Sequence, residues 1–112
     1  MLTVDTHPFD GYVDETCNID EKLNQYENVY SCGSKMLNDF INWIKKQSFY
    51  KNTTIVIVGD HLNMVSNSIH KNMPTNYDRT VYNTFINSVV KTECNKNRIF
   101  TTFDIYPTTL AA

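Results

Sequence analysis

At 112 residues, with 41% apolar residues and a formal net charge of −2, the chain has the size and composition of one folded domain, not of a disordered segment. Ten basic residues against twelve acidic ones, with no segregation of charge along the chain, give no broad basic surface and argue against nucleic acid as a partner. No apolar run approaches the ~20 residues that cross a bilayer, and the first residues lack the basic and apolar stretches of a signal peptide.

Leu2-Thr3-Val4 is apolar and β-branched and reads as a strand already under way. A long loop follows, containing Cys17. Leu23 to Gln47 carries apolar residues at three, four and seven residue steps (Leu23, Tyr26, Val29, Tyr30, Leu37, Phe40, Ile41, Ile44) and predicts an amphipathic helix. Gly33 leaves two readings: one helix, or two with Ser34 capping the second. Lys45 and Lys46 suit the negative pole of a helix end. After the turn at Asn52-Thr53-Thr54, Ile55-Val56-Ile57-Val58 has no polar alternation, the pattern of a strand covered on both faces in a parallel sheet.

From Asp60 to Arg79 the sequence is polar and without period, a long loop of the kind that carries function. Val81 to Ile86 predicts another strand, and Ile99 to Phe103 leads into a final helical segment that stops on Leu110-Ala111-Ala112 without a cap. The order is that of an α/β layered fold. One convincing helix cannot cover both faces of such a sheet. The chain therefore reads as part of a domain, residues 1–112, truncated at both ends, its missing cover lying elsewhere or supplied by self-association.

Cys17, Cys32 and Cys94 are odd in number and irregular in spacing, which argues against a structural zinc cluster. Cys17 and Cys32 either close a loop of about 15 residues, worth ~3 kcal/mol in an oxidising compartment, or join Cys94 as buried thiols. Asp60-His61 directly follows a buried strand and Gly59. A carboxylate and an imidazole side by side suit zinc or manganese, although the same dipeptide also serves as a helix cap beside a surface histidine. His70, Lys71 and Arg79 are candidate anion contacts or solvated loop charges, and Tyr12, Tyr77 and Tyr82 either line a pocket or pack.

Thr3-Val4-Asp5-Thr6-His7-Pro8, Asp10-Gly11-Tyr12, Phe40 to Ile44, Asn52 to His61, Tyr77-Asp78-Arg79 and Phe100 to Ala112 together resemble the phosphoglycerol transferases of the alkaline phosphatase and sulfatase superfamily, a group that includes lipoteichoic acid synthase. The resemblance implies an alkaline-phosphatase-like layered fold with a mainly parallel sheet flanked by helices. It implies a divalent metal, Mn2+ first with Zn2+ or Mg2+ as alternatives, held by a glutamate, a nucleophilic threonine and the pair Asp60 and His61. It places His7 at the phosphoglycerol head group as a catalytic residue; His70 and Arg79 stay candidate substrate contacts on their own chemistry.

The implied reaction moves phosphoglycerol from phosphatidylglycerol to a cell-envelope glycan or polymer acceptor. Its setting is the extracytoplasmic face of a bacterial plasma membrane, reached through an anchor that this sequence lacks. No glutamate or threonine here matches the missing two ligands, since Thr53, Thr54, Thr108 and Thr109 stand in the wrong places, so the isolated chain is expected to be inactive. A sulfatase or phosphatase of the same superfamily and a non-catalytic binding module are the alternatives.

Overall fold

In the computed structural model of the protein, residues 2–7, 9–64, 73–93 and 96–112 are described. Cys94, His70 and Lys71 lie outside these residues, so the expectations placed on them have no structural counterpart here. The chain forms two units, Met1–Lys46 with Asn63–Tyr77, and Gln47–Leu62 with Asp78–Ala112.

The first unit is built on α1, Gln25–Lys45. It runs unbroken through Gly33, so Ser34 begins no second helix, and its start is set by Asn24. The Asn24 side chain accepts from the Glu27 N–H at 3.0 Å, and the Glu27 carboxylate accepts from the Asn24 N–H at 2.8 Å. This reciprocal box satisfies two of the amides that every helix start leaves unpaired. The buried face comprises Tyr26, Asn28, Val29, Cys32 and Ile44.

Against α1 lies the N-terminal segment, which has no regular element. Leu2 and Val4 are 78% and 64% exposed, and the Val4 carbonyl accepts the His7 N–H at 3.0 Å in a turn. The strand expected at residues 2–4 is therefore absent: a strand needs a ladder partner, and no described residue supplies one there. Cys17 and Cys32 form a disulfide, which resolves the choice between a bridge and free thiols for this pair.

The second unit contains β1, Ile55–Val58, β2, Asn83–Ile86, and α2, Thr102–Ala111, preceded by a 3-10 turn at Ser48–Asn52. The strands pair antiparallel, with Ile55 opposite Ile86, Val56 opposite Phe85, Ile57 opposite Thr84 and Val58 opposite Asn83. The expected parallel arrangement is not seen in this two-stranded sheet. A β-branched run records that both faces are to be covered, but it does not encode the direction of the neighbouring strand. All eight strand residues are only half-buried, with Phe85 set edge-on to Phe100 at 6.4 Å between ring centres.

Asn87, in the left-handed region at φ 63°, ties the end of β2 back to the preceding turn by donating to the carbonyls of Tyr50 and Thr53 at 2.8 and 2.9 Å. At the end of α2, the Ala112 carbonyl accepts from Val89 N–H, Ser88 Oγ and Thr54 Oγ1 at 2.9 to 3.3 Å. No helix among the described residues is long and apolar enough to cross a membrane.

Candidate metal and phosphoryl site

Asp60 and His61 follow the last residue of β1 by two and three positions. The ladder continues one step past the strand, since Gly59 N–H donates to the Tyr82 carbonyl at 2.8 Å. Asp60 and His61 are the two residues that follow this last bond of the ladder. Gly59 is not in the left-handed region, and a Cβ placed on it would meet Val81 Cβ at an ordinary 3.4 Å. Neither a special turn nor a steric limit within this unit requires glycine there.

The geometry of the pair matches a two-donor metal half-site. His61 Nδ1 lies 2.8 Å from the Leu62 carbonyl, which can only accept, so Nδ1 carries the proton and the Nε2 lone pair is left outward in the neutral ring. Asp60 Oδ1 accepts from the His61 N–H at 3.0 Å, leaving Oδ2 as the outward oxygen. Oδ2 and Nε2 are 3.5 Å apart. That is longer than a good hydrogen bond, and close to the roughly 3.4 Å between two donors each ~2.1 Å from one tetrahedral ion.

The other polar atom of each side chain is thus engaged by local backbone, the arrangement that fixes the tautomer and orientation of metal ligands. Both side chains are exposed, at 76% for Asp60 and 56% for His61, so an ion has access. The residues present fit a divalent metal as two of its donors. Among the described residues no group of three or more His, Cys, Asp or Glu side chains comes together to complete a site.

His7 belongs to the first unit and Asp60 and His61 to the second. Its surroundings are ordered by a second backbone closure, Tyr12 N–H to the Asp5 carbonyl at 2.7 Å. Arg79 lies in the second unit on the lining of an open depression that also contains Lys91, Lys96 and Arg98; no acidic side chain is on that lining, and Asp104 next to it is close enough to Arg98 to feel its charge. Along the linear sequence these charges are not segregated. Glu93 sits among these cations in linear order, and folding leaves it outside the lining. Tyr82 is on the same lining, while Tyr12 and Tyr77 are exposed side chains of the first unit.

The Sulfatase family model matches residues 1–112. The chain belongs to this family. Among curated proteins it is similar to phosphoglycerol transferase I of Citrobacter koseri, 46% identical over 56% of this chain and 9% of that protein. The enzyme of the same name from Escherichia fergusonii is also 46% identical, and that from Salmonella paratyphi B 44%, over the same shares. The chain thus spans about a tenth of the length of these relatives. No solved structure matches it.

Proposed function

We propose that this chain is part of the catalytic domain of a metal-dependent phosphoglycerol transferase, and that Asp60 and His61 are two of the ligands of its metal. The observation that carries the reading is the disposition of Asp60 Oδ2 and His61 Nε2, 3.5 Å apart with their other polar atoms held by backbone. The names of the relatives support the reaction class.

The donor is phosphatidylglycerol and the acceptor a cell-envelope glycan or polymer, at the extracytoplasmic face of a bacterial membrane. The Cys17–Cys32 bridge fits that setting, because disulfides persist in oxidising compartments. The complete domain is alkaline-phosphatase-like, with a mainly parallel sheet. Its further layers cover the apolar groups left outward here, among them Phe103 and Leu110 of α2, which are 93% and 71% exposed.

A bound divalent ion, Mn2+ or in its place Zn2+ or Mg2+, would supply charge neutralisation at the phosphoryl oxygens and lower the pKa of the nucleophile. Asp60 and His61 hold and orient it. His7 hydrogen-bonds a phosphoryl oxygen or exchanges a proton with the leaving or attacking alcohol. Arg79 contributes a fixed positive charge, and it stands beside Lys91, Lys96 and Arg98 on a surface that suits an anionic donor or polymer. A sulfatase or phosphatase is the second reading, favoured by the family match itself, and it differs in the nucleophile.

The test uses the parent enzyme and the 112-residue chain side by side. In the parent, Asp60→Ala and His61→Ala each lower transfer to a phosphatidylglycerol analogue by at least on the order of 100-fold and weaken manganese binding in calorimetry. The 112-residue chain alone binds manganese and zinc weakly and transfers nothing, because two donors leave the remaining coordination positions to water. Full activity in either variant of the parent, or sub-micromolar metal binding by the short chain, would overturn the reading.

A further inference from the structure

The segment that carries His7 has no helix or strand to hold it, yet it is fastened to one face of α1 at three successive points. Gly11 rests on Val29, which is fully buried: a Cβ at position 11 would lie 2.9 Å from Val29 Cγ2 and 2.9 Å from the Asp5 carbonyl. Cys17 is bonded to Cys32. Asp20 is gripped by the Asn28 side chain, whose oxygen accepts from the Asp20 N–H at 2.8 Å and whose nitrogen donates to the carbonyls of Asp20, Leu23 and Asn24 at 3.0 to 3.3 Å.

Asn28 is 5% exposed and Cys32 6%, and residues 28, 29 and 32 share one helix face. At the near end, the Asp5–Tyr12 closure and the left-handed backbone of Asp10 and Gly11, at φ 70° and 62°, draw the loop together around Thr6 and His7. The described residues between 2 and 23 hold no helix or strand, so ordering them costs backbone entropy that contacts of this kind offset.

We propose that the Cys17–Cys32 disulfide and Asn28 are positioning elements for His7, and that opening the bridge impairs substrate use by releasing the His7 loop from α1. This rests on the role given to His7 above. Neither group touches substrate. Their effect is to keep one imidazole in register with the phosphoryl group, where a displacement of ~1 Å is enough to cost as much as 100-fold in rate.

The test is a double-mutant cycle in the parent enzyme, read as kcat/KM with a phosphatidylglycerol analogue. His7→Ala is expected to cause the largest loss. Cys17→Ala/Cys32→Ala is expected to lower kcat/KM about tenfold in the wild-type background and to have no further effect in the His7→Ala background. Asn28→Asp, which keeps the size but removes the two N–H donors facing three carbonyls, is expected to behave as the cysteine pair does.

A readout independent of turnover is amide exchange in the 112-residue chain: reduction should speed exchange at Tyr12 and His7 by more than it speeds exchange in the interior of α1 near Ile44. Equal acceleration at Ile44 and at Tyr12 and His7 on reduction would show a general structural role and overturn the proposal. A bridge effect that persists undiminished in the His7→Ala background would overturn the positioning role alone. Full activity in His7→Ala would remove the role of His7, and this inference with it.

Discussion

In the first unit a long irregular segment is tied to a single helix by a covalent bridge, a buried amide and a glycine contact. In the second, regular elements meet through half-buried strands and a few hydrogen bonds to backbone carbonyls. The buried apolar side chains of the described residues, Tyr26, Val29, Cys32 and Ile44, all belong to α1, so the first unit owns what core there is. The second holds its shape through chain-end and turn contacts at Asn87, Thr54 and Ala112. Its helix also carries Pro107 in the interior, where the missing N–H leaves one turn without its bond. The contrast shows two routes to order: cross-linking an irregular segment, or pairing regular elements whose apolar side chains stay half-buried or exposed.

The largest effect is expected from cutting the covalent tie. Cys17→Ala/Cys32→Ala should lower the stability of the first unit by about 3 kcal/mol, from the loop entropy returned to the unfolded chain. Urea unfolding followed by the helix signal measures this, and a loss confined to the second unit would reverse the comparison.

Glycine substitutions sharpen the same contrast. Gly11→Ala places a Cβ within 2.9 Å of Val29 and of the Asp5 carbonyl on a backbone with φ 62°, and should cost roughly 1–3 kcal/mol. Gly59→Ala, with its nearest neighbour at 3.4 Å and no left-handed backbone, should stay within about 0.5 kcal/mol. Equal losses for the two would mean that the first unit is no more tightly built around its loop than the second is around its strand end.

Tyr26 is 4% exposed, and its hydroxyl is a buried side-chain polar atom without a hydrogen-bond partner among the described residues. Tyr26→Phe removes that unsatisfied group and should raise stability by ~1 kcal/mol in the same unfolding measurement.

The smallest effect lies in the second unit. Hydrogen bonds from the Thr101 hydroxyl and N–H hold the Asp104 carboxyl below the ordinary aspartate value. A depressed folded pKa means that this contribution is fully present above the unfolded value and is lost as the pH falls through the folded one. The first turn of α2 should therefore fray only below pH ~3.9, as read from the Thr101 amide shift. Fraying near neutral pH would show that α2 starts on some other contact.

The sequence by itself marked the helical stretch of α1, without settling whether Gly33 divides it, and the place of β1 and β2, because apolar spacing and β-branching act locally through the geometry of one element. It also marked the residues of the candidate site, because Asp60 and His61 are adjacent and their joint orientation follows from the three residues 60–62. It named Cys17 and Cys32 as a possible pair without choosing between a bridge and two thiols.

Tertiary structure alone decided that the bridge forms, that β1 and β2 run antiparallel, and that residues 2–4 make no strand. These depend on which distant group lies alongside. It alone brought Gly11, Cys17 and Asp20 onto Val29, Cys32 and Asn28, and placed Arg79 with Lys91, Lys96 and Arg98 on one surface. The contacts with α1 join residues 8 to 18 positions apart. Their energy appears only once the intervening chain has been ordered, so no local pattern records them.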